Sequence, residues 1–369
     1  MLGFSPDWPR IHEKKSLDIW ALPLAALSLV YSMGCKIRLW FYRKGFFKAR
    51  SLPGLVVSLG NLTVGGTGKT PAVVMFARWA QGRGYRVAVL SRGYGGKYED
   101  QVLEVSDGKH VSADPGQCGD EPILLANKLS GVPVIISKKR FNAGWYAHEK
   151  FGCDFFILDD GFQHLELKRD FDLVLIDALT PFGNGHLLPW GPLREPFAQL
   201  GRADVFILTR VSHHGEGDPV LNFLKRDFPS TPVFYSDHVS TDIVFPYVNE
   251  VYGPDLIEGK PVIAFAGIAR PELFRETLIK LGADVVYFRG YKDHYPFEQR
   301  DIQTLIRMKE EMGAQYVLTT EKDWARIACL EQRFPELAYL GIDFILLSDH
   351  DKLFRVIEDK RQQFRQEKV

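Results

Sequence analysis

The stretch Leu55-Val-Val-Ser-Leu-Gly60-Asn-Leu-Thr-Val-Gly-Gly-Thr-Gly-Lys-Thr70-Pro71 decides the fold. A short apolar run, residues 55–59, leads straight into a glycine-rich turn and then into an amphipathic segment, residues 69–83. Such a turn lets successive backbone N–H groups converge on phosphate oxygens, and the helix that follows adds the partial positive charge of its N-terminus. Thr63, Val64, Gly65, Gly66, Thr67, Gly68, Lys69 and Thr70 therefore read as a nucleotide-phosphate loop. Lys69 would reach the β- and γ-phosphates of ATP, and the Thr70 hydroxyl would ligate Mg²⁺. The general pattern asks for glycine where Thr63 stands, which is its one departure here.

Outward from this loop the chain alternates short apolar runs with longer amphipathic ones. Strands are expected at 55–59, 85–91, 132–137, 154–158, 171–176, 204–209 and 232–235, with helices at 69–83, 121–130, 140–151 and 219–227. The strand runs are almost uninterruptedly apolar, as in a parallel sheet buried on both faces. This predicts an α/β P-loop NTPase fold with a doubly wound, mostly parallel sheet. A polar stretch with Pro and Gly, 238–260, interrupts the rhythm. Beyond it lie strands at 262–266, 284–288, 316–319 and 344–347, with helices at 271–281, 297–312 and 351–366. The expected organisation is an N-terminal segment 1–50, a kinase domain 51–240, a linker 241–260 and a smaller α/β domain 261–369.

The 369 residues carry 46 basic and 46 acidic side chains, and 46% are hydrophobic. That is enough for real cores and argues against a general nucleic-acid binder. The neutrality is uneven, because the first fifty residues hold nine basic against three acidic side chains. The apolar run from Ile19 to Cys35 is slightly shorter than the ~20 residues that cross a bilayer. It is followed by Lys36, Arg38, Arg43, Lys44, Lys48 and Arg50, interleaved with Trp40, Phe41, Tyr42, Phe46 and Phe47. A secretory signal would end in a small-residue cleavage site and a neutral mature start. Cations mixed with aromatics instead suit a retained element at an anionic headgroup surface. Cys35, Cys118, Cys153 and Cys329 are far apart and show no zinc spacing, which fits a reducing compartment.

A P-loop needs a carboxylate at the end of a buried strand to hold the metal's water shell. Asp159-Asp160, followed by Gly161, is the favoured site; Asp177, at the end of another strand, reads as a cap or turn residue. An ATPase or a GTP switch with a protein partner would also carry a P-loop, but no N-K-x-D guanine motif occurs, since Asn127-Lys128 is followed by Leu and Ser.

Six motifs together resemble the tetraacyldisaccharide 4′-kinase (lipid A 4′-kinase) family. They are Gly60–Pro71, Ser91-Arg-Gly-Tyr-Gly-Gly96, Gly119-Asp-Glu-Pro122, Asp159-Asp-Gly-Phe-Gln-His164, Gly191-Pro-Leu-Arg-Glu-Pro196 and Asp293-His294. The likeness covers residues from about 20 to about 330, the N-terminal membrane segment included. It implies transfer of the ATP γ-phosphoryl group to the 4′-hydroxyl of tetraacyldisaccharide 1-phosphate in lipid A (lipopolysaccharide) biosynthesis. The expected location is the cytoplasmic face of the bacterial inner membrane, with no obligate protein partner. Asp120 matches the family's catalytic Asp, and His294 matches the His that pairs with it as a dyad. Arg92, Tyr94, Arg140, Gln163, His164 and Arg194 are the candidates for the sugar hydroxyls and phosphate. Glu195, and with it Glu121, could join the metal or its water shell. Because Asp120 and His294 fall in different domains by the division above, closure of one domain on the other is expected to assemble the dyad.

Overall fold

The structure is a computed structural model that describes residues 11–12, 21–98, 102–211 and 218–366. In chain order its elements are α1 (Ala21–Arg43), β1 (Leu55–Gly60), α2 (Lys69–Gly82), β2 (Val87–Ser91), β3 (Leu103–Ser106), α3 (Asp120–Lys128), β4 (Val134–Ile136), α4 (Arg140–Phe151), β5 (Phe155–Asp159), β6 (Phe171–Asp177) and β7 (Val205–Thr209). There follow α5 (Pro219–Asp227), β8 (Val233–Phe245), β9 (Glu250–Tyr252), β10 (Pro261–Ala266), α6 (Pro271–Lys280), β11 (Asp284–Gly290), α7 (Gln299–Glu311), β12 (Tyr316–Thr320), α8 (Glu321–Ile327), β13 (Leu337–Leu346) and α9 (His350–Gln366).

The chain forms two compact units. The first takes residues 1–92, 137–237 and 345–369. Its sheet is parallel: β2 pairs with β5, β5 with β1, β1 with β6, β6 with β7, and β7 with the start of β8. Every residue of β1, β2, β5, β6 and β7 is buried, which accounts for their continuous apolar runs. Successive strands lie to one side of β1 up to β5 and to the other side from β6 onward. The strand order thus reverses at β1, and the crevice beyond the carboxyl end of such a strand is where open α/β sheets take ligands. The P-loop begins there. One face is closed by a cluster that includes Leu62, Phe162, Val174, Ile176, Leu200, Phe206 and Leu224. Elsewhere in this unit α9 lies on α2, with the Trp79 and Phe354 rings stacked at 4.3 Å between centroids.

The second unit takes residues 93–136 and 238–344. Here β10 pairs in parallel with β11 and β12, and β12 with β13. The strand alternation separates two cores. Val262, Ala264 and Ala266 face Phe274, Leu278 and Leu340, while Ile263 and Phe265 face Tyr291, Phe297, Ile302 and Leu305.

The division differs from the one read from sequence in three respects. Residues 93–136 belong with the smaller unit, where Lys128 on α3 bridges to Glu321 (2.8 Å) and donates to the Ile342 carbonyl (2.7 Å). The terminal helix belongs with the larger unit, through the Trp79–Phe354 contact. The stretch 241–260 is not a linker: it holds the end of β8, paired antiparallel with β9, and the core residues Ile243, Phe245 and Ile257.

The N-terminal helix α1 has two unlike faces. Ser28, Tyr31, Cys35 and Arg38 follow one another at helical spacing and bond the carbonyls of Leu187, Arg194, Arg194 and Gln163, respectively. On the opposite side Leu22, Leu29, Met33 and Ile37 stand half to three-quarters exposed. Much of the basic head, including Trp20, lies outside the described residues.

Candidate active site

The chemistry-bearing residues form two groups, one in each unit. In the first, β1 ends at Gly60 and the chain turns through Asn61 and Leu62 into the loop. The segment 192–194 holds that turn in place: Val64 N–H donates to Pro192 (2.8 Å), and Arg194 N–H donates to Leu62 (2.8 Å). Gly65 and Gly68 have φ of 108° and 81°, a region in which a side chain would be strained. Gly68 caps α2 without any side-chain bond, so the first N–H groups of this 14-residue helix are not closed off by a capping side chain. Lys69 rests on Asn61 Oδ1 (3.1 Å) and faces Asp160 (3.5 Å). From the end of β7, Thr209 donates to the Thr67 carbonyl (3.3 Å) and Arg210 to the Gly66 carbonyl (3.2 Å), while Arg210 pairs with Asp177 at 2.6 Å.

Parallel register sets Asp159 beside Leu59, so the double Asp emerges next to the loop. Asp159 is buried and accepts from Ser91 Oγ at 2.9 Å. Asp160 has φ 53°, unusual for a residue with a side chain, and pairs with Arg194 at 2.6 Å. Burial alone would raise its pKa, but Lys69 and Arg194 outweigh it and hold the carboxyl well below the usual carboxylate range. Gln163 donates to the Asn61 carbonyl at 2.9 Å. His164 is pushed down to about 3 by burial and by the cations Arg140, Arg169, Arg38 and Arg92. It is therefore a neutral imidazole among guanidinium groups, and its Nε2 is buried with no hydrogen-bond partner among the described residues. Arg38, on α1, is expected from the sequence only among the headgroup cations, whereas here it donates to the Gln163 carbonyl at 3.2 Å. Glu195 is different. Both of its oxygens face Arg202, at 3.4 and 2.5 Å, and this internal ion pair occupies the carboxylate that was expected at the metal.

The second group corrects the expectation that domain closure assembles the dyad: Asp120 and His294 lie in the same unit. Asp120 is the first residue of α3, directly after Gly119 at φ 85°. A Cβ on Gly119 would run into the Tyr94 carbonyl oxygen, so only glycine fits there. His294 follows β11 and has φ 57°. Its Nδ1 lies 2.9 Å from Asp120 Oδ2, and its Nε2 lies 3.4 Å from Lys322 Nζ. An ammonium cannot accept, so Nε2 is the acceptor and Nδ1 carries the hydrogen given to Asp120. Burial would raise the pKa of Asp120, yet the His294 hydrogen bond and the Arg326 charge together lower it. Glu121 faces Lys322 at 3.5 Å. Tyr94 is exposed, its ring 6.4 Å from that of His294.

Comparison with known proteins gives the family. The family model described as tetraacyldisaccharide-1-P 4′-kinase matches residues 20–362. The tetraacyldisaccharide 4′-kinase of Syntrophus aciditrophicus is 40% identical over 348 residues, which are 91% of this chain and 92% of that protein. That of Pelobacter propionicus is 41% identical over 327 residues, 88% of each. The chain belongs to the tetraacyldisaccharide 4′-kinase family. A crystal structure of LpxK from Aquifex aeolicus in complex with ATP superposes with a TM-score of 0.76 at 32% identity, covering 93% of this chain and 99% of that one.

As a tetraacyldisaccharide 4′-kinase family member the chain is an ATP-dependent phosphotransferase of lipid A biosynthesis that works with Mg²⁺. The donor set fits that ion. Mg²⁺ keeps several waters and usually takes one or two protein oxygens beside those of the phosphates. The buried Asp159 carboxylate and the Thr70 hydroxyl are of that kind, and no cluster of three or more His, Cys, Asp or Glu occurs among the described residues to form a closed cage.

Proposed function

We propose that Asp120 accepts the proton of the sugar 4′-hydroxyl while the P-loop group holds the nucleotide, so that the chain phosphorylates tetraacyldisaccharide 1-phosphate at that position. The observation that carries this reading is the Asp120–His294 pair at 2.9 Å, in which Oδ2 is engaged and Oδ1 makes no hydrogen bond among the described residues. A sugar hydroxyl is a poor nucleophile, and a carboxylate within reach helps by taking its proton as the new bond forms. The hydroxyl oxygen bonds to the γ-phosphorus, the bond to the β-γ bridging oxygen breaks, and ADP departs with that electron pair. The proton passes to Asp120 Oδ1, and His294 orients the carboxylate through Oδ2.

Lys69 and the open N–H groups of α2 hold the phosphates. Bound Mg²⁺ would neutralise charge on the nucleotide phosphates, with Thr70 and Asp159 as its holders. Asp160 keeps Lys69 and Arg194 in place. Arg92, Arg140, Gln163, His164 and Arg194 are assigned to the sugar hydroxyls and the 1-phosphate, for which the planar guanidinium fork is suited.

The reading also assigns α1 to the membrane surface, on the cytoplasmic leaflet of the inner membrane. At 23 residues its length is about 35 Å, enough to span hydrocarbon. A spanning helix would be wrapped by lipid, whereas α1 spends one face, from Ser28 to Arg38, on carbonyls of the first unit. Its apolar face then dips into one leaflet, and the docked face touches the carbonyls of Gln163 and Arg194, two of the lipid-binding candidates.

The test is incubation of the full chain with labelled ATP, Mg²⁺ and tetraacyldisaccharide 1-phosphate, followed by lipid separation. Label is expected in the lipid for the wild type. Asp120→Ala and His294→Ala should lose at least ~100-fold of it while still binding ATP. Unaltered turnover in either variant removes that residue from the mechanism.

A further inference from the structure

One buried charge beside the dyad takes no part in the proton transfer itself. Arg326 lies on α8 with only 8% of its side chain exposed. Its Nε donates to Asp120 Oδ2 at 2.5 Å, the same oxygen that His294 contacts. Its Nη1 donates to the carbonyls of Gly267 (3.1 Å) and Tyr295 (3.4 Å) and to Asp323 Oδ1 (2.9 Å). Gly267 in turn accepts from the His294 N–H at 3.1 Å. One guanidinium therefore ties the carboxylate of the dyad to the backbone that carries its histidine.

That guanidinium is itself held. Asp323 is fully buried; its Oδ2 accepts from Thr320 Oγ1 (2.6 Å) and from Gly267 N–H (3.0 Å), and its Oδ1 is paired with Arg326. The Thr320 hydroxyl also receives the Asp323 N–H and caps α8. The third guanidinium nitrogen, Arg326 Nη2, is buried with no acceptor among the described residues. A buried unsatisfied donor is costly and calls for a reason beyond packing.

We propose that Arg326 is a positioning residue for the proton-accepting pair: it engages Asp120 Oδ2, the oxygen that His294 also contacts, so that Oδ1 alone is left for the sugar hydroxyl, and it fixes the turn that holds His294. The proposal rests on the reading of Asp120 and His294 as the proton-accepting pair. Without the guanidinium the carboxylate would keep only the imidazole contact and could rotate about its Cβ–Cγ bond, which exchanges the two oxygens. Charge matters as well as geometry. The groups facing Asp120 are Arg326, Lys322 and Asp323 from α8, His294 and Asp293 from the turn after β11, and Glu121 and Cys118 from its own segment. Of the cations among the described residues only Arg326 touches the carboxylate, so its removal should make Asp120 easier to protonate.

The experiment uses the full chain with Arg326→Gln and Arg326→Lys, measured beside Asp120→Ala and His294→Ala. Lipid phosphorylation is followed across pH, together with the KM for ATP and the melting temperature. Arg326→Gln is expected to lower kcat by about tenfold or more and to leave the KM for ATP unchanged. The acid limb of kcat/KM should move up by about one pH unit. Arg326→Lys, which keeps the charge but not the fork, should retain the wild-type position of the acid limb and recover part of kcat. Two outcomes overturn the proposal: a Gln variant with wild-type turnover, or one whose turnover falls only in step with its melting temperature while the acid limb stays in place. If Asp120→Ala and His294→Ala both turn over normally, the reading of the pair itself has failed, whatever the Arg326 variants do.

Discussion

If the exposed face of α1 lies in a leaflet, charging it should detach the protein without touching the nucleotide site. The perturbation is Leu29→Asp combined with Met33→Asp, two neighbouring positions one helical turn apart on the face opposite Ser28, Tyr31 and Cys35. Leu29 is 73% exposed and Met33 61% exposed, so each would move most of its side chain from water into the acyl boundary. Full burial of such a side chain is worth about 1.5–3 kcal/mol, and two-thirds of it about 1–2 kcal/mol. Losing both and placing two negative charges near an anionic leaflet, at about 1 kcal/mol per charge, gives a deficit of about 4–6 kcal/mol. That corresponds to a partition coefficient lower by about a thousandfold or more. Flotation with vesicles of zwitterionic and anionic phospholipid reads this directly, with binding of a fluorescent ATP analogue as the control. The wild type should float and the double variant should stay at the bottom, its ATP binding unchanged. A double variant that floats as well as the wild type refutes the assignment of this face to lipid.

Two further predictions concern the first unit. Arg210→Gln removes the ion pair to the buried Asp177 and the bonds to the Gly66 carbonyl. The dissociation constant for ATP, measured by titration, should rise about tenfold, and stability should fall by about 3 kcal/mol as Asp177 loses its guanidinium; wild-type ATP affinity would mean that Thr209 suffices to hold the loop. His164 gives a pH dependence. Its folded pKa of about 3 lies below the ordinary 6.5, so the unfolded chain takes up a proton first and stability is lost as pH falls through that interval. Denaturant melts should show His164→Asn spared about 2 kcal/mol of the loss between pH 7.5 and pH 5, and equal losses in both proteins would contradict a buried neutral imidazole.

Local pattern served well where a segment's neighbours lie in its own unit and its burial is complete. The run at 55–59, buried on both faces, can only be an interior strand, and the helices at 140–151 and 219–227 lie where their amphipathic patterns put them. Pattern failed where burial is partial. Leu103 and Glu104 are only half buried, and in the second half of β8, from His238 to Phe245, just Ile243 and Phe245 are buried, so polar residues dominate and the stretch resembles a loop. The division into units was hidden for another reason: the helix pattern at 121–130 shows which face is apolar but not that Lys128 meets Glu321, almost two hundred positions away. The site divides in the same way. Lys69, Thr70 and the double Asp are contiguous motifs whose strand-to-helix context is visible in the chain, whereas Arg210 and Arg326 act through backbone carbonyls and distant carboxylates. For Arg326 the available signal was Asp323 one helical turn earlier, with Thr320 as the cap. That is a weak signature, common on any short helix.

Four residues other than glycine have a positive φ among the described residues: Asp160, Arg210, Asn249 and His294. Asn249 stands in a turn before β9, outside both candidate groups; Asn, Asp and His enter this region at lower cost than most side chains, and Arg does not share that ease. The other three carry charge or a titratable ring, belong to the two candidate groups, and each make a contact of 2.9 Å or less with an oppositely charged or hydrogen-bonding partner: Arg194, Asp177 and Asp120. A strained backbone of this kind costs on the order of 1–3 kcal/mol and persists only when its surroundings over-determine it. Short polar contacts supply that determination: Asp177 closes β6, Asp120 opens α3, and Arg194 is tied through its own N–H to the Leu62 carbonyl, so each side chain is aimed before any ligand arrives. The coupling has a direction. Removing Arg194 should free Asp160 from its left-handed turn and with it release Lys69, so a substitution in the segment 192–194 should weaken the phosphate site through backbone relaxation as well as through lost charge.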